Sequence, residues 1–183
     1  MDVQHVEGDL THVLFDADQV AARLAEVAAQ IDADYADREL LLVGVLNGAV
    51  MVMADLSRAL GSHCEMDWMA ISSYGSGTQS SGVVRILKDL NTDISGRDVL
   101  VVEDIIDTGL TLSYLLSNLA SRGPASLEVM TMFRKPEAAK NSVEVKYVGY
   151  DIPNEFVVGF GLDYDGRYRN LRAVGTLAPH VYS

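Results

Sequence analysis

Three carboxylates, Glu103, Asp104 and Asp107, sit close together, and Thr108-Gly109-Leu110-Thr111 follows them directly. Ahead of them Val99, Leu100, Val101 and Val102 read as a buried strand. After them Leu112, Leu115, Leu116 and Leu119 recur at helical spacing. The chemistry of this strand–turn–helix divides into two halves. From Asp107 to Thr111 the backbone can wrap so that successive N–H groups point inward. Gly109 permits close approach there, and Thr108 and Thr111 add hydroxyls. With a helix N-terminus behind it, such a turn is an anion nest suited to phosphate. Glu103 and Asp104 repel one another at the end of a buried strand, and call for a cation or a ligand that donates hydrogen bonds. Sugar hydroxyls meet that need, directly or through Mg²⁺. A ribose 5-phosphate with free 2′ and 3′ hydroxyls satisfies both halves of the turn. One acid here would serve as a solvated helix cap; capping alone does not account for all of them.

Elements on both sides must hold this turn in place. Asp16 and Gln19 have the spacing of a capping box, and Val20, Leu24, Val27 and Ile31 form an apolar stripe. A helix is therefore expected over roughly 17–36. The run "ELLLVGVL" (39–46) is nearly all apolar, the pattern of a strand covered on both faces. A turn and helix ending at Gly61 are expected over 47–61, a strand over 64–74, a flexible polar loop over 75–82 and a returning strand over 83–90. Then come a strand at 99–103, a helix at 108–122, a strand at 126–133, a loop from Arg134, a strand at 145–150 and a mixed C-terminal stretch. Strands alternating with helices predict an α/β fold with a mainly parallel central sheet flanked by helices. Ligands of such sheets bind beyond the strand C-terminal ends. Loops 46–49, 103–111 and 134–140 all follow strand C-termini, so one rim is expected to carry them, with 73–82 as a lid.

The 183 residues suffice for one domain with a substantial core, and 49% of them are apolar, which excludes a disordered chain. No apolar run approaches the ~20 residues needed to span a bilayer. The N-terminal "MDVQHVEGDLTH" carries acids where a secretion signal has basic and apolar segments, so a cytoplasmic protein is expected. Cys64 is the sole cysteine, which excludes an internal disulfide and a thiolate metal cluster, and it is expected to pack as a small apolar residue. The net charge of −12 argues against bulk binding to nucleic acid. It leaves room for a small phosphorylated ligand held by backbone amides, metal ions and a few placed cations.

The acidic turn as a whole resembles the phosphoribosyl-pyrophosphate motif of the type I phosphoribosyltransferases: hydrophobic strand, Glu-Asp, two aliphatics, Asp-Thr-Gly, any residue, Thr. Other nucleotide signatures, GxxxxGK[ST] and a strand-borne GxGxxG, are missing. The resemblance extends over most of the chain and is to the hypoxanthine-guanine branch. It is carried by "VLNGAV" (45–50), "SSYGSGT" (72–78), "FRKPEA" (133–138) and "PNEFVVGFGLDYDGRYRNL" (153–171).

The resemblance implies a type I core over 1–183, with a small hood over the base site formed from about 1–15 and 150–183. It implies a reaction between phosphoribosyl pyrophosphate and a 6-oxopurine, with Mg²⁺ as cofactor. Glu103, Asp104, Asp107, Thr108, Gly109, Leu110 and Thr111 would hold the phosphoribosyl group, and Leu46, Asn47, Gly48 and Arg169 the pyrophosphate. Ser73 and Tyr74 would close over the reacting centre. Lys135 would donate to the purine 6-oxo group; an ammonium donates and does not accept, so 6-oxopurines are favoured over adenine. Phe156 would stack on the ring, the Val157 backbone would bond to its edge, and Ile105 and Asp163 would complete the purine site. Asp163, Glu103 and Asp104 would serve the metal, and Asp107 would manage the proton at purine N7. Where the family often reads Leu-Lys-Gly this chain has Leu46-Asn47-Gly48, one cation fewer, and a cis peptide is implied between Leu46 and Asn47. A homodimer or homotetramer is expected. The other readings are a xanthine phosphoribosyltransferase and a non-catalytic sensor of phosphoribosyl pyrophosphate.

Overall fold

Uniformly apolar strands need cover on both faces, and the chain supplies it with helices on each side. In the computed structural model, which describes residues 1–73, 84–141 and 143–183, a six-stranded sheet forms the central layer. Its strands are β2 (Leu40–Leu46), β3 (Cys64–Ser73), β4 (Val84–Lys88), β5 (Asp98–Ile106), β6 (Ser126–Arg134) and β7 (Tyr147–Asp151), in the order β4-β3-β2-β5-β6-β7. All neighbours run parallel except β3 and β4. Side-chain alternation sorts the core into two halves. Leu40, Leu42, Leu100, Val102, Met130 and Met132 face helices α1 (Ala17–Asp34) and α2 (Val50–Ala59). Leu41, Val43, Val45, Val99, Val101 and Val129 face α3 (Leu110–Ala120). The expected stripe Val20, Leu24, Val27 and Ile31 is buried, and Asp16 and Gln19 form the reciprocal cap of α1.

Two boundaries differ from expectation in ways that matter. β5 runs on to Ile106 because its ladder with β6 continues to the pair Ile106 and Arg134. Asp104, Ile105 and Ile106, beyond the expected end at 103, are therefore strand residues and not turn residues. α3 begins at Leu110 and not at 108, because Gly109 stands before it in the left-handed region at φ +75°. Cys64 opens β3 half-buried against the α1/α2 side of the core, and burial and the nearby Asp32 push its thiol pKa up.

A second sheet was not anticipated as strands. β1 (Leu10–Phe15), β8 (Val157–Val158) and β9 (Val174–Leu177) form it in the order β1-β9-β8, all antiparallel. β1 shows no clean alternation of burial and carries two register irregularities against β9, so it lacks a period-two signature. The small sheet sits on its own cluster, which includes Val6, Val158, Leu171 and Leu177. No described helix is long and apolar enough to cross a membrane.

On β3, Asp67 is 3% exposed and organises the connection from β4 to β5. It accepts from the backbone amides of Trp68 (2.7 Å), Asn91 (2.8 Å) and Thr92 (2.8 Å), and Lys88 Nζ stands 3.5 Å away. Burial alone would raise its pKa, but the amide donors outweigh burial and hold the carboxyl below its ordinary value. A depressed folded pKa stabilises the native state above the ordinary carboxylate range, and that stability is lost as pH falls through the folded value. Asp67→Asn is expected to cost about 2 kcal/mol at neutral pH. Thermal melts of both proteins should show the gap narrowing below about pH 4; a gap independent of pH would remove Asp67 as its origin.

Candidate active site

The C-terminal ends of β2, β5 and β6 lie side by side, so the loops that leave them share a rim. At β5, Asp104 accepts from the Ile105 amide at 2.8 Å. The loop after β2 passes directly over it: Leu46 and Asn47 are joined by a cis peptide, and a Cβ at Gly48 would overlap the Asp104 carboxylate. A third segment packs on that loop in turn. Gly161, at φ +101°, brings its Cα so near the Gly48 carbonyl that a Cβ would overlap the oxygen. Glycine at both positions lets the 46–48 loop lie against Asp104 and the 161 segment lie against that loop.

The turn after β5 is held from behind. Thr108 O accepts from the amides of Lys140 (3.1 Å) and Asn141 (3.2 Å), and Ile106 O accepts from the amide of Lys135 at 2.9 Å. No side chain caps α3 at Gly109, which leaves the first amides of the helix, from Leu110 and Thr111 onward, free for an anion. Asp107 is exposed, and its Oδ2 lies 3.6 Å from Lys135 Nζ. Lys135 is itself buried at the start of the loop after β6.

Between these groups lies a cavity of about 250 Å³ lined by Asp104, Ile105, Asp107, Lys135, Phe156, Val157, Leu162 and Asp163. Three separate stretches of chain, 104–107, Lys135 and 156–163, thus meet in one hollow, and of its eight lining residues Leu162 alone was not anticipated. Glu103, next to Asp104 on the strand, is 9% exposed and is not among the lining residues. Leu46, Asn47, Gly48, Thr108, Gly109, Leu110 and Thr111 lie on the adjoining rim loops. Arg169 belongs to the loop that bears Asp163: its guanidinium donates to Gly161 O at 2.7 Å and pairs with Asp163 Oδ1 at 2.7 Å. Asp163 Oδ2 accepts from the Gly166 amide at 2.8 Å. Ser73 ends β3, while Tyr74 and loop 75–82 lie outside the described residues. A larger hollow of about 470 Å³ lies between α1, α2 and the 169–172 segment and contains none of the acidic turn.

Electrostatics set the rim apart from ordinary surface. Burial, with Asp104 adding like charge, pushes the Glu103 pKa well above the carboxylate range. Burial also raises Asp104 to about 6, with the Ile105 amide and the Arg169 charge opposing and Asp163 reinforcing. Such carboxylates gain most from a cation or from hydroxyl donors. Among the described residues no three His, Cys, Asp or Glu side chains form a cage for a metal ion. Asp104 and Asp163 nevertheless face one cavity with hard oxygen donors. That set fits a Mg²⁺ ion, which takes one or two carboxylates together with phosphate oxygens and water.

The model of the phosphoribosyl transferase domain matches residues 13–165. A hypoxanthine-guanine phosphoribosyltransferase from Mycobacterium tuberculosis (strain ATCC 25618 / H37Rv) is 57% identical over 181 residues, 96% of this chain and 90% of that protein. The chain belongs to the hypoxanthine-guanine phosphoribosyltransferase family. A second such phosphoribosyltransferase, from Streptococcus thermophilus (strain CNRZ 1066), is 49% identical over 97% of this chain and 99% of its own length. A crystal structure of a hypoxanthine phosphoribosyltransferase from Staphylococcus aureus superposes with a TM-score of 0.94 at 45% identity, covering 98% of this chain and 97% of that one. The phosphoribosyltransferase α/β core with its mostly parallel sheet is therefore the fold of this chain.

The close stacking of backbones over Asp104 has a measurable consequence. Gly48→Ala must push the 46–48 loop or Asp104 aside, and a displacement near 1 Å at a reacting centre costs about 100-fold in kcat/KM. The thermal midpoint should move little, because the loop lies at the rim. Transferase activity close to wild type would show that the loop gives way freely.

Proposed function

We propose that this phosphoribosyltransferase transfers the 5-phosphoribosyl group of phosphoribosyl pyrophosphate to a 6-oxopurine, hypoxanthine or guanine, in purine salvage. The products are the nucleoside 5′-monophosphate and pyrophosphate. The observation that carries this reading is the cavity that joins Asp104, Asp107, Lys135 and Phe156 beside the uncapped start of α3.

The amides and hydroxyls of Asp107, Thr108, Gly109, Leu110 and Thr111 hold the 5′-phosphate. Glu103 and Asp104 accept from the ribose hydroxyls. The backbone of Leu46, Asn47 and Gly48, with the Arg169 guanidinium, receives the pyrophosphate, for which a planar forked cation is well shaped. Asn47 supplies no charge here, so the amides carry that contact. Asp163, with Asp104 and Glu103, is the set that would hold Mg²⁺, which when bound supplies positive charge against the departing pyrophosphate. Lys135 Nζ donates to the purine 6-oxo oxygen, Phe156 and Ile105 enclose the ring, and the Val157 backbone reads its edge.

As the C1–pyrophosphate bond breaks, positive charge builds on the ribose, and the nearby carboxylates favour it. Purine N9 forms the new bond from the opposite face, inverting C1, while Asp107 manages the proton at N7. The Lys135 ammonium, 3.6 Å from Asp107, ties the base-reading group to the proton-handling one. Ser73 and Tyr74, with the 75–82 segment, are proposed to exclude water as a competing nucleophile. The small sheet acts as a hood over the base within a single domain. The assembly proposed is a homodimer or homotetramer, in keeping with exposed apolar side chains such as Val50, Met66 and Tyr114. A cytoplasmic location completes the proposal.

The test is a purine panel with phosphoribosyl pyrophosphate and Mg²⁺: hypoxanthine or guanine should give monophosphate and adenine should not. Turnover of adenine would remove the Lys135 assignment, and binding of phosphoribosyl pyrophosphate with no turnover of any base would favour a sensor. In the same assay Asp107→Asn should lower kcat by about 100-fold or more. A kcat that survives nearly intact would end its role as acid or base.

A further inference from the structure

Phe156 lines the cavity and is 41% exposed. Away from it the ring meets two other aromatics. Tyr182 lies nearly parallel, with centroids 5.3 Å apart and planes 27° from each other. Tyr164 meets Phe156 edge-on at 5.7 Å and 87°, and the two tyrosines close the triangle at 6.3 Å. Neither tyrosine lines the cavity. Tyr182 therefore packs on Phe156 without lining the hollow itself.

The chain holds Tyr182 there through local contacts. Leu177, at the end of β9, donates its amide to Phe156 O at 2.8 Å, and Ala178 donates to Asp9 O at 2.8 Å. The closing turn α4 (Pro179–Tyr182) follows at once, with Val181 N on Ala178 O at 2.9 Å and Val181 packed against the small-sheet cluster. Phe156 and Tyr182 are thus fastened to the same strand end. A Phe side chain that is 41% exposed has rotamers to lose when a base stacks on it. A second ring packed on its back removes them beforehand.

We infer that Tyr182 is a positioning residue for the purine: it stacks behind Phe156 and holds that ring as a preformed platform for the base. The inference rests on the proposed stacking of Phe156 on the purine. Tyr164, next to the cavity-lining Asp163, fixes the platform edge, so the triangle spans the base wall and the acidic loop beside it. Stacking uses the ring and not the hydroxyl, which makes phenylalanine an adequate replacement.

The experiment is steady-state kinetics on the full chain for Tyr182→Ala, Tyr182→Phe, Phe156→Ala and the Phe156/Tyr182 double alanine variant, varying each substrate in turn. Loss of one aromatic pair is expected to raise the KM for hypoxanthine roughly fivefold in Tyr182→Ala. The KM for phosphoribosyl pyrophosphate and kcat should stay near wild type, and Tyr182→Phe should restore the hypoxanthine KM. The double variant should match Phe156→Ala, since Tyr182 acts only through that ring. If both KM values rise together in Tyr182→Ala, the effect is general loosening and the inference is overturned. If Phe156→Ala raises the hypoxanthine KM and Tyr182→Ala does not, Tyr182 is no positioning residue although the stacking reading stands. If Phe156→Ala leaves it unchanged, the stacking reading falls and takes this inference with it.

Discussion

Everything at the rim depends on keeping carboxylates at the end of a strand that both faces of the protein bury. Burying a charge without partners is costly, and β5 does it with adjacent residues. Asp104 is made tolerable by the Ile105 amide and by the Arg169 charge, and its pKa still stands near 6. The close glycine backbones belong to the same corner: Gly48 leaves room for its loop beside Asp104, and Gly161 leaves room for the next segment against Gly48. Arg169 is in turn oriented by Gly161 O and Asp163, so the group proposed to meet pyrophosphate is placed by the loops that cover the carboxylate. The tension is local and chemical, and a ligand rich in hydroxyls, bringing a divalent cation with it, would relieve it.

The central layer was legible because its signals are periodic and local. A run such as Leu40–Leu46 can be buried only between two layers, and the acids at 103–104 interrupt such a run so abruptly that they announce a site. The turn at 103–111 stood out for the same reason, since it is contiguous. Its boundaries were less so: pairing with β6 carried β5 past the acids, and that ladder is a property of two strands, not of one segment.

The small sheet was not legible as strands, because β1 gains its order from β9 and not from its own alternation. The closeness of Gly161 to Gly48, and the backing of Thr108 by Lys140 and Asn141, join segments that carry no mark of one another in the sequence. Phe156, Lys135 and Asp163 were found by resemblance. Taken singly, a loop lysine, a turn aspartate and an apolar phenylalanine have no signal of their own; the cavity they share is what gives them one.

The two sheets also differ in when they can exist. β2 through β7 is complete once residue 151 has been made, so the six-stranded layer with its acidic turn can assemble while later residues are still being added. β1 must wait for β9, and His12 meets Thr176 across 164 positions of chain. During synthesis the layer that carries the 103–111 turn and Lys135 is therefore finished before the segment that carries Phe156, Asp163 and Arg169. The order of manufacture separates a rim that has already formed from the moment at which its hollow gains a second wall.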